Sequence, residues 1–340
     1  MFDMSLTHMC TTYTAVTLIE IKPDRPRLRE EPGSGFQVTL SELYDRLCRG
    51  DLQQGGETDR KEHSGEMNQS LFICPICRRA LYREMGAYRC EAGHSFDIAR
   101  EGYVNLLPAN QKHSGAPGDD REMVNARTRF LDGGWYAPLR ECLCETAALH
   151  TPDKPVLIDS GCGEGYYTAA LSTEISAKKG RTAGIDLSKT AVKRASRRCP
   201  QAEIGVASVY HLPLKDACAD VVVDCFSPLA EKEFCRILKP EGFFIYVVPG
   251  RQHLWELKEI LYERPYENEV REETYEGFKQ HVTVPLEFRF RLENPEDISA
   301  LFHMTPYAWK TPKNGVERLA KLEALDVTAQ FRVLIYQKKR

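Results

Sequence analysis

The stretch VLIDSGCGEGYYT, residues 156–168, decides the fold. A short apolar run, Val156 to Ile158, leads into Gly161-x-Gly163-x-Gly165, and YYTAALSTEISAKK beyond it reads as a helix. Glycines let the backbone turn tightly and let a ligand approach the main chain, while a helix N-terminus supplies unpaired N–H groups. A strand, a glycine turn and a helix also serve dinucleotides, but the spacing here lacks the two-residue gap of G-x-G-x-x-G. A nicotinamide site and a turn without any ligand are the competing readings.

Outward from this stretch the pattern alternates. TAGID (182–186), VVVDCF (221–226) and FFIYVV (243–248) are strand candidates, with LSKTAVKRASRRC and LAEKEFCRIL as helices between them. Such alternation predicts a parallel sheet covered on both faces. LEFRFRL (286–292) and VTAQFRVLIYQ (327–337) alternate apolar and polar residues and suit an antiparallel edge. Asp186 ends the strand after the glycine turn, where a carboxylate can accept the hydroxyls of a ribose. Residues 207–226 supply a turn and a buried strand where an adenine pocket is expected, and 233–250 add a helix, a Pro-Glu-Gly turn and a strand. Together these pieces look like an α/β, Rossmann-like class I S-adenosylmethionine (AdoMet) methyltransferase domain. Asp159 is expected to be structural, or to meet the cofactor amine.

Upstream, Cys74, Cys77, Cys90 and His94 form C-x2-C-x12-C-x3-H. Two closely spaced pairs of soft or borderline ligands, each on a tight turn, suit one tetrahedral zinc ion in a closed, structural site. A redox role for the first pair is disfavoured because it does not open a helix after a strand. So short a module buries little apolar area, so the metal is expected to supply its folding energy. Tyr82, Tyr88, Phe96 and Tyr103 with Arg78, Arg79, Arg83 and Arg89 offer an aromatic and basic face of the kind that stacks and clamps RNA, or equally a mini-core with solvated arginines.

The whole chain of 340 residues is 42% hydrophobic and 28% charged, with mean hydropathy −0.43. That excludes a largely disordered or collagenous protein, and no apolar run approaches a membrane span. The start lacks a signal peptide, so a cytoplasmic protein is expected and its 12 cysteines read as thiols or metal ligands. Net charge is −3, but residues 1–66 hold 8 Lys+Arg against 12 Asp+Glu and residues 67–340 hold 38 against 37, so charge neither supports nor excludes RNA. The expected organisation is 1–66 as a flexible extension or a mis-assigned start before Met67, 67–109 as a zinc-binding module that recognises RNA, 110–150 as a linker and connecting helices, and 151–340 as the methyltransferase domain. Within the first segment, LSELYDRLC (40–48) could form a short helix. Residues 121–150 suggest two helices broken at Gly133-Gly134, after a linker at 110–120.

CPICRRALYREMGAYRCEAGHSFDIAREGYVNLLP (74–108), GDDREMVNARTRFLDGGWYAPLR (118–140), the glycine stretch and PGRQHLWELKEILY (249–262) closely resemble the RlmA family of 23S rRNA (guanine-N1)-methyltransferases, which includes tylosin-resistance relatives. The resemblance runs from about Met67 to Arg340. It implies Cys74, Cys77, Cys90 and His94 as zinc ligands, and places Tyr136, Tyr167, Thr168 and His253 around AdoMet beside Gly161, Gly163, Gly165 and Asp186. It implies 23S rRNA as the partner and allows a homodimer, with no membrane contact. For Tyr136 and His253 the residues alone suggest a core aromatic and a surface histidine. The chain departs from the family at Ser227-Pro228, where relatives tend to show Ala-Pro, and no catalytic base is assigned; Asp224 or a carbonyl near Ser227 could take part. The alternatives are a small-molecule methyltransferase and a non-catalytic rRNA-binding protein.

Overall fold

The computed structural model describes residues 18–20, 69–108, 118–270 and 274–340. The helix considered at 40–48, most of residues 1–66 and linker positions 109–117 lie outside the described residues. A first strand, β1 (Leu18–Glu20), precedes a small antiparallel sheet of β2 (Gln69–Ile73), β3 (Ala80–Glu84), β4 (Ala87–Arg89) and β5 (Ser95–Asp97). After β6 (Val104–Asn105) come α1 (Arg121–Asp132) and α2 (Ala137–Leu149). The alternating part follows as β7 (Val156–Ser160), α3 (Tyr166–Ala177), β8 (Arg181–Asp186), α4 (Lys189–Arg198), β9 (Glu203–Val206), β10 (Ala219–Cys225), α5 (Glu231–Ile237) and β11 (Leu238–Pro249). The chain ends with α6 (Trp255–Leu261), β12 (Phe278–Leu292), α7 (Pro295–His303), α8 (Lys313–Leu319) and β13 (Leu325–Lys338).

The large sheet runs β1-β12-β13-β11-β10-β7-β8-β9-β6. β6 through β11 are mutually parallel, and β13 enters antiparallel between β11 and β12, as the alternating tail predicted. The central strand β10 is apolar at successive positions because both its faces are covered: Val221 and Val223 point to one core, Val222 to the other. Helix starts follow ordinary chemistry. Asp120 accepts from Met123 N at 2.8 Å, Ser188 caps α4, and Asn294 caps α7 ahead of Pro295. The helices expected at 121–150 break at Gly133-Gly134.

One face of the sheet carries α1, α2, α3, α6 and α7 around Phe130, Leu143, Leu171, Leu257 and Leu301. On the other face, the connection from β9 to β10 contains only a single turn of 3-10 helix, Val209–His211. A parallel crossover ordinarily lays a helix there. The small sheet fills that place. Phe72, Leu81, Tyr88 and Leu106 are buried with Ile158, Ile185, Val222 and Phe244, and β6 pairs with β9. Phe72 bridges to Leu214, and its ring would lie 3.0 Å from a Cβ on Gly205. Glu203 accepts from Ser70 Oγ, from Leu71 N and from Arg181, which itself donates to Gln69 O at 2.7 Å. Of the two readings of the module's aromatics, Tyr88 and Tyr103 follow the core one: both are buried, Tyr88 with the strands of the large sheet and Tyr103 with α4 and β9. This shared core adds folding energy to the small module beside what a metal site would supply. Among the described residues no helix is long and apolar enough to cross a membrane.

Candidate active site and metal centre

Ligands of open parallel sheets bind beyond the carboxyl ends of the strands. Here those ends hold Ser160 to Gly165 after β7, Asp186 after β8, Ala207 after β9 and Phe226 to Pro228 after β10. Gly165 starts α3 at φ 88°, and a Cβ there would lie 2.8 Å from Ala195 Cα, so α3 and α4 approach closely only over glycine. Gly163 N donates to Asp186 Oδ2 at 3.0 Å and Ser188 N to Oδ1 at 2.7 Å. Each carboxylate oxygen keeps accepting capacity for a ribose hydroxyl.

Thr168 is buried and donates from Oγ1 to Asp159 Oδ2 at 2.6 Å, so it anchors Asp159 beneath the turn. Burial pushes the Asp159 carboxyl up to about 7 despite that bond, and burial does the same to Asp224 at the end of β10. Tyr136, between α1 and α2, is enclosed by Phe130, Phe288, Phe290 and Phe331, with ring centroids 4.9 to 6.1 Å away. Its hydroxyl meets His253 Nε2 at 3.5 Å. His253 is buried, contrary to the unaided expectation of a surface histidine. Its Nδ1 accepts from Gln330 N at 3.2 Å, so the ring proton sits on Nε2, facing Tyr136. Burial, with the Lys258 ammonium nearby, pulls the ring down to about 3 and keeps it neutral. Lys258 is itself buried and donates to Tyr266 O and Asn268 Oδ1 at 3.0 and 2.7 Å.

Sequence reasoning missed Arg127. It projects from α1, pairs with Asp119 Oδ2 at 2.5 Å, and brings Nη1 within 3.6 Å of a Cβ built on Gly163. Ser188 Oγ donates to Asp119 O at 2.8 Å, so residues 118–120, expected in a linker, are docked against the end of β8. The only prior signal was the GDDREMVNAR segment itself; nothing in its spacing says that the arginine meets a turn 36 residues later.

Buried polar atoms without a well-formed hydrogen bond gather around these strand ends: Ser160 Oγ, Tyr166 Oη and Tyr167 Oη where β7 leads into α3, and Asp224 Oδ2 and Ser227 Oγ where β10 ends. Such orphan groups are rare in a native core and mark a place for a polar ligand. Burial disfavours the charged form of these two carboxyls, Asp159 and Asp224, and a cation placed beside them would favour it again, so the rim fits a positively charged ligand.

The four metal-motif side chains also converge. Cys74 Sγ and Cys90 Sγ lie 3.5 and 3.4 Å from His94 Nδ1, and Cys77 Sγ lies 3.6 Å from Cys90 Sγ. All four ligand atoms fall within 4.8 Å of one another. Zinc bonds of about 2.3 Å to sulfur and 2.0 Å to nitrogen, arranged tetrahedrally, require edges of about 3.5 to 3.8 Å. Arg78, Arg79, Arg83 and Arg89 are exposed around this cluster, with Tyr82 and Phe96 half-buried.

The fold and this rim define a class I methyltransferase domain joined to a zinc-ribbon-type module. Residues 158–246 match the family described as "Methyltransferase domain", and residues 72–115 match "RlmA, N-terminal". The chain is 34% identical over 281 residues to "Putative 23S rRNA (guanine-N(1)-)-methyltransferase YxjB" of Bacillus subtilis (strain 168), covering 79% of this chain and 98% of that protein. It is 35% identical over 262 residues to the 23S rRNA (guanine(748)-N(1))-methyltransferase of Streptomyces fradiae, covering 74% and 91%. A similar protein of Micromonospora griseorubida shares 35% over 289 residues, covering 78% and 96%. The chain belongs to the RlmA family of 23S rRNA (guanine-N1)-methyltransferases.

Proposed function

We propose that this protein moves the methyl group of AdoMet to N1 of a guanine in a hairpin loop of 23S rRNA, with the zinc module helping to hold the RNA. The observation that carries the reading is the fusion of the Cys/His module into the methyltransferase sheet. β6 runs parallel to β9, so the module's last strand ends on the same edge as the glycine turn and Asp186. The module and the strand ends thus belong to one folded unit.

Asp186 would hold the ribose, the Gly161–Gly165 turn would admit the methionine part, and Tyr136, Tyr167, Thr168 and His253 would shape the wall around it. Arg127 is the cation beside the turn and fits the methionine carboxylate. Asp159 and Asp224, whose ionised forms burial disfavours, would be drawn toward ionisation by the positive charge of a sulfonium cofactor and so balance it. AdoMet, when bound, supplies an electrophilic methyl carbon. The chain's part is then chiefly positioning for an in-line displacement. Guanine N1 lies on the Watson–Crick edge and bears a proton that must leave as the N1–methyl bond forms and the sulfonium S–methyl bond breaks to a neutral thioether, so the acceptor must be unpaired or flipped. One zinc ion at Cys74, Cys77, Cys90 and His94 would lock the turns that carry the exposed arginines. RNA loops are held by stacking and a few phosphate contacts, which the near-neutral charge of residues 67–340 permits.

The test is incubation with labelled AdoMet and either bare 23S rRNA or a metabolite mixture. Label on the RNA alone is expected. Label on a metabolite alone would mean a small-molecule enzyme, and RNA binding with no label a non-catalytic protein.

A further inference from the structure

Phe226 is an odd residue for its position. It follows β10 directly, at the rim of strand ends that holds the glycine turn, and its backbone sits at φ 61°. A bulky aromatic in the left-handed region is strained, and glycine or asparagine is the relaxed choice. The conformation is imposed from both sides. Ser227 N donates to Asp224 Oδ1 at 3.0 Å, closing a tight turn. Gly161 faces Ser227 so closely that a Cβ on it would lie 2.1 Å from Ser227 Cβ, so the two strand-end loops touch.

The ring gains little for folding in return. It is 48% exposed. One side rests on Phe331, with centroids 5.6 Å apart. Phe331 in turn lies 5.1 Å from Tyr136 and 4.6 Å from His253. An aromatic row therefore runs from the buried Tyr136–His253 pair to one half-open face at the rim, next to the Asp224 carboxyl and the Ser227 hydroxyl. A planar, unpaired base needs a π-face to rest on and polar atoms at its edge, and the rim presents both.

We propose that Phe226 is the stacking platform for the acceptor base, holding the flipped guanine flat while its N1 edge turns toward the methyl donor. This deepens the function proposed above and rests on it. The strain at Phe226 is kept because the turn aims the ring out of the core; a relaxed residue there would leave the base without a stacking partner.

Three variants test it, with the wild type assayed in parallel on 23S rRNA. Phe226→Leu keeps apolar bulk but removes the π-face, and its kcat/KM for RNA is expected to fall about ten- to a hundred-fold, the range of base–aromatic stacking, with the dissociation constant for AdoMet unchanged. Phe226→Tyr is expected to retain methylation. Phe226→Gly should melt at or above the wild-type temperature, since it relieves the backbone, yet methylate as poorly as Phe226→Leu. With 2-aminopurine in place of the acceptor guanine, wild type and Phe226→Tyr should quench its fluorescence on binding and Phe226→Leu should not. If wild type methylates the RNA and Phe226→Leu does so at the same rate, or if Phe226→Leu loses AdoMet affinity in step with activity, the platform is overturned while the function stands. If wild type places no methyl on any RNA, the proposed function fails and the platform with it.

Discussion

Two alanine substitutions in the glycine turn separate folding from cofactor binding. At Gly165, φ is 88° and an added Cβ meets Ala195 Cα at 2.8 Å and Cys199 Sγ at 3.0 Å. Left-handed backbone costs a non-glycine residue about 1–2 kcal/mol and overpacking about 1–3 kcal/mol more, so Gly165→Ala should lose about 2–5 kcal/mol. For a domain of this size that is roughly 5–20 °C in Tm. At Gly163, φ is 54° and the Cβ meets only Arg127 Nη1, at 3.6 Å. Gly163→Ala should therefore lose only the backbone part, about 1–2 kcal/mol. Its methyl group, however, points into the space beside Arg127 assigned to the methionine part of AdoMet. Thermal melts and calorimetric titration with AdoMet read both effects. Gly163→Ala should melt close to wild type and bind AdoMet at least about ten-fold more weakly, equivalent to about 1.4 kcal/mol. A Gly163→Ala protein that binds AdoMet normally would refute the placement of the cofactor, and one that melts as low as Gly165→Ala would refute the packing.

Three further outcomes are expected. Arg127→Met should weaken AdoMet by about 1.5–3 kcal/mol, the worth of a hydrogen bond to a charged group. It should leave 5′-methylthioadenosine, which lacks the carboxylate, unaffected; equal losses for both ligands would contradict the assignment. Zinc removal by a chelator, or Cys77→Ser, should lower the melting temperature of the whole 69–340 unit in one transition, because Phe72, Leu81 and Leu106 lie in the core of the large sheet; two separate transitions with the sheet unaffected would contradict this. The third outcome concerns pH. Asp159 has a folded pKa raised to about 7, so its contribution to stability is complete below the unfolded value and is lost as pH rises through 7. His253, depressed to about 3, acts oppositely: its contribution is present above about 6.5 and is lost as pH falls through 3. From pH 5.5 to 7 the wild type should lose up to about 2 kcal/mol through Asp159 that Asp159→Asn does not lose, measured by urea unfolding. Identical pH slopes would contradict the burial argument.

What was legible in the sequence was local. The metal ligands show in their own spacing, and the glycine turn and Asp186 in a strand–turn–helix order that backbone chemistry dictates. What was not legible depended on contacts between distant segments. Tyr88 lies in a three-residue strand, too short for alternation to show which face is buried, and its burial against the large sheet involves Val222 and Phe244, more than 100 positions away. β9, only Glu203–Val206, went unrecognised because four residues carry no period, yet it is the strand on which the small sheet docks. His253 reads as a surface histidine because nothing nearby in sequence announces Gln330 N as its partner. The strain at Phe226, whose stretch the sequence shows only as a strand end, and the reach of Arg127 were not legible for a further reason. The first is a local conflict between residue and backbone that only the dihedral reveals, and the second starts from a helix whose own pattern is ordinary.

The most direct test of the central claim is the nucleoside content of 23S rRNA after incubation with the purified protein and AdoMet. Digestion and mass spectrometry should show 1-methylguanosine appearing with time and absent when AdoMet is omitted. Methyl groups on another base, on another position of guanine, or on no nucleoside at all would contradict the account.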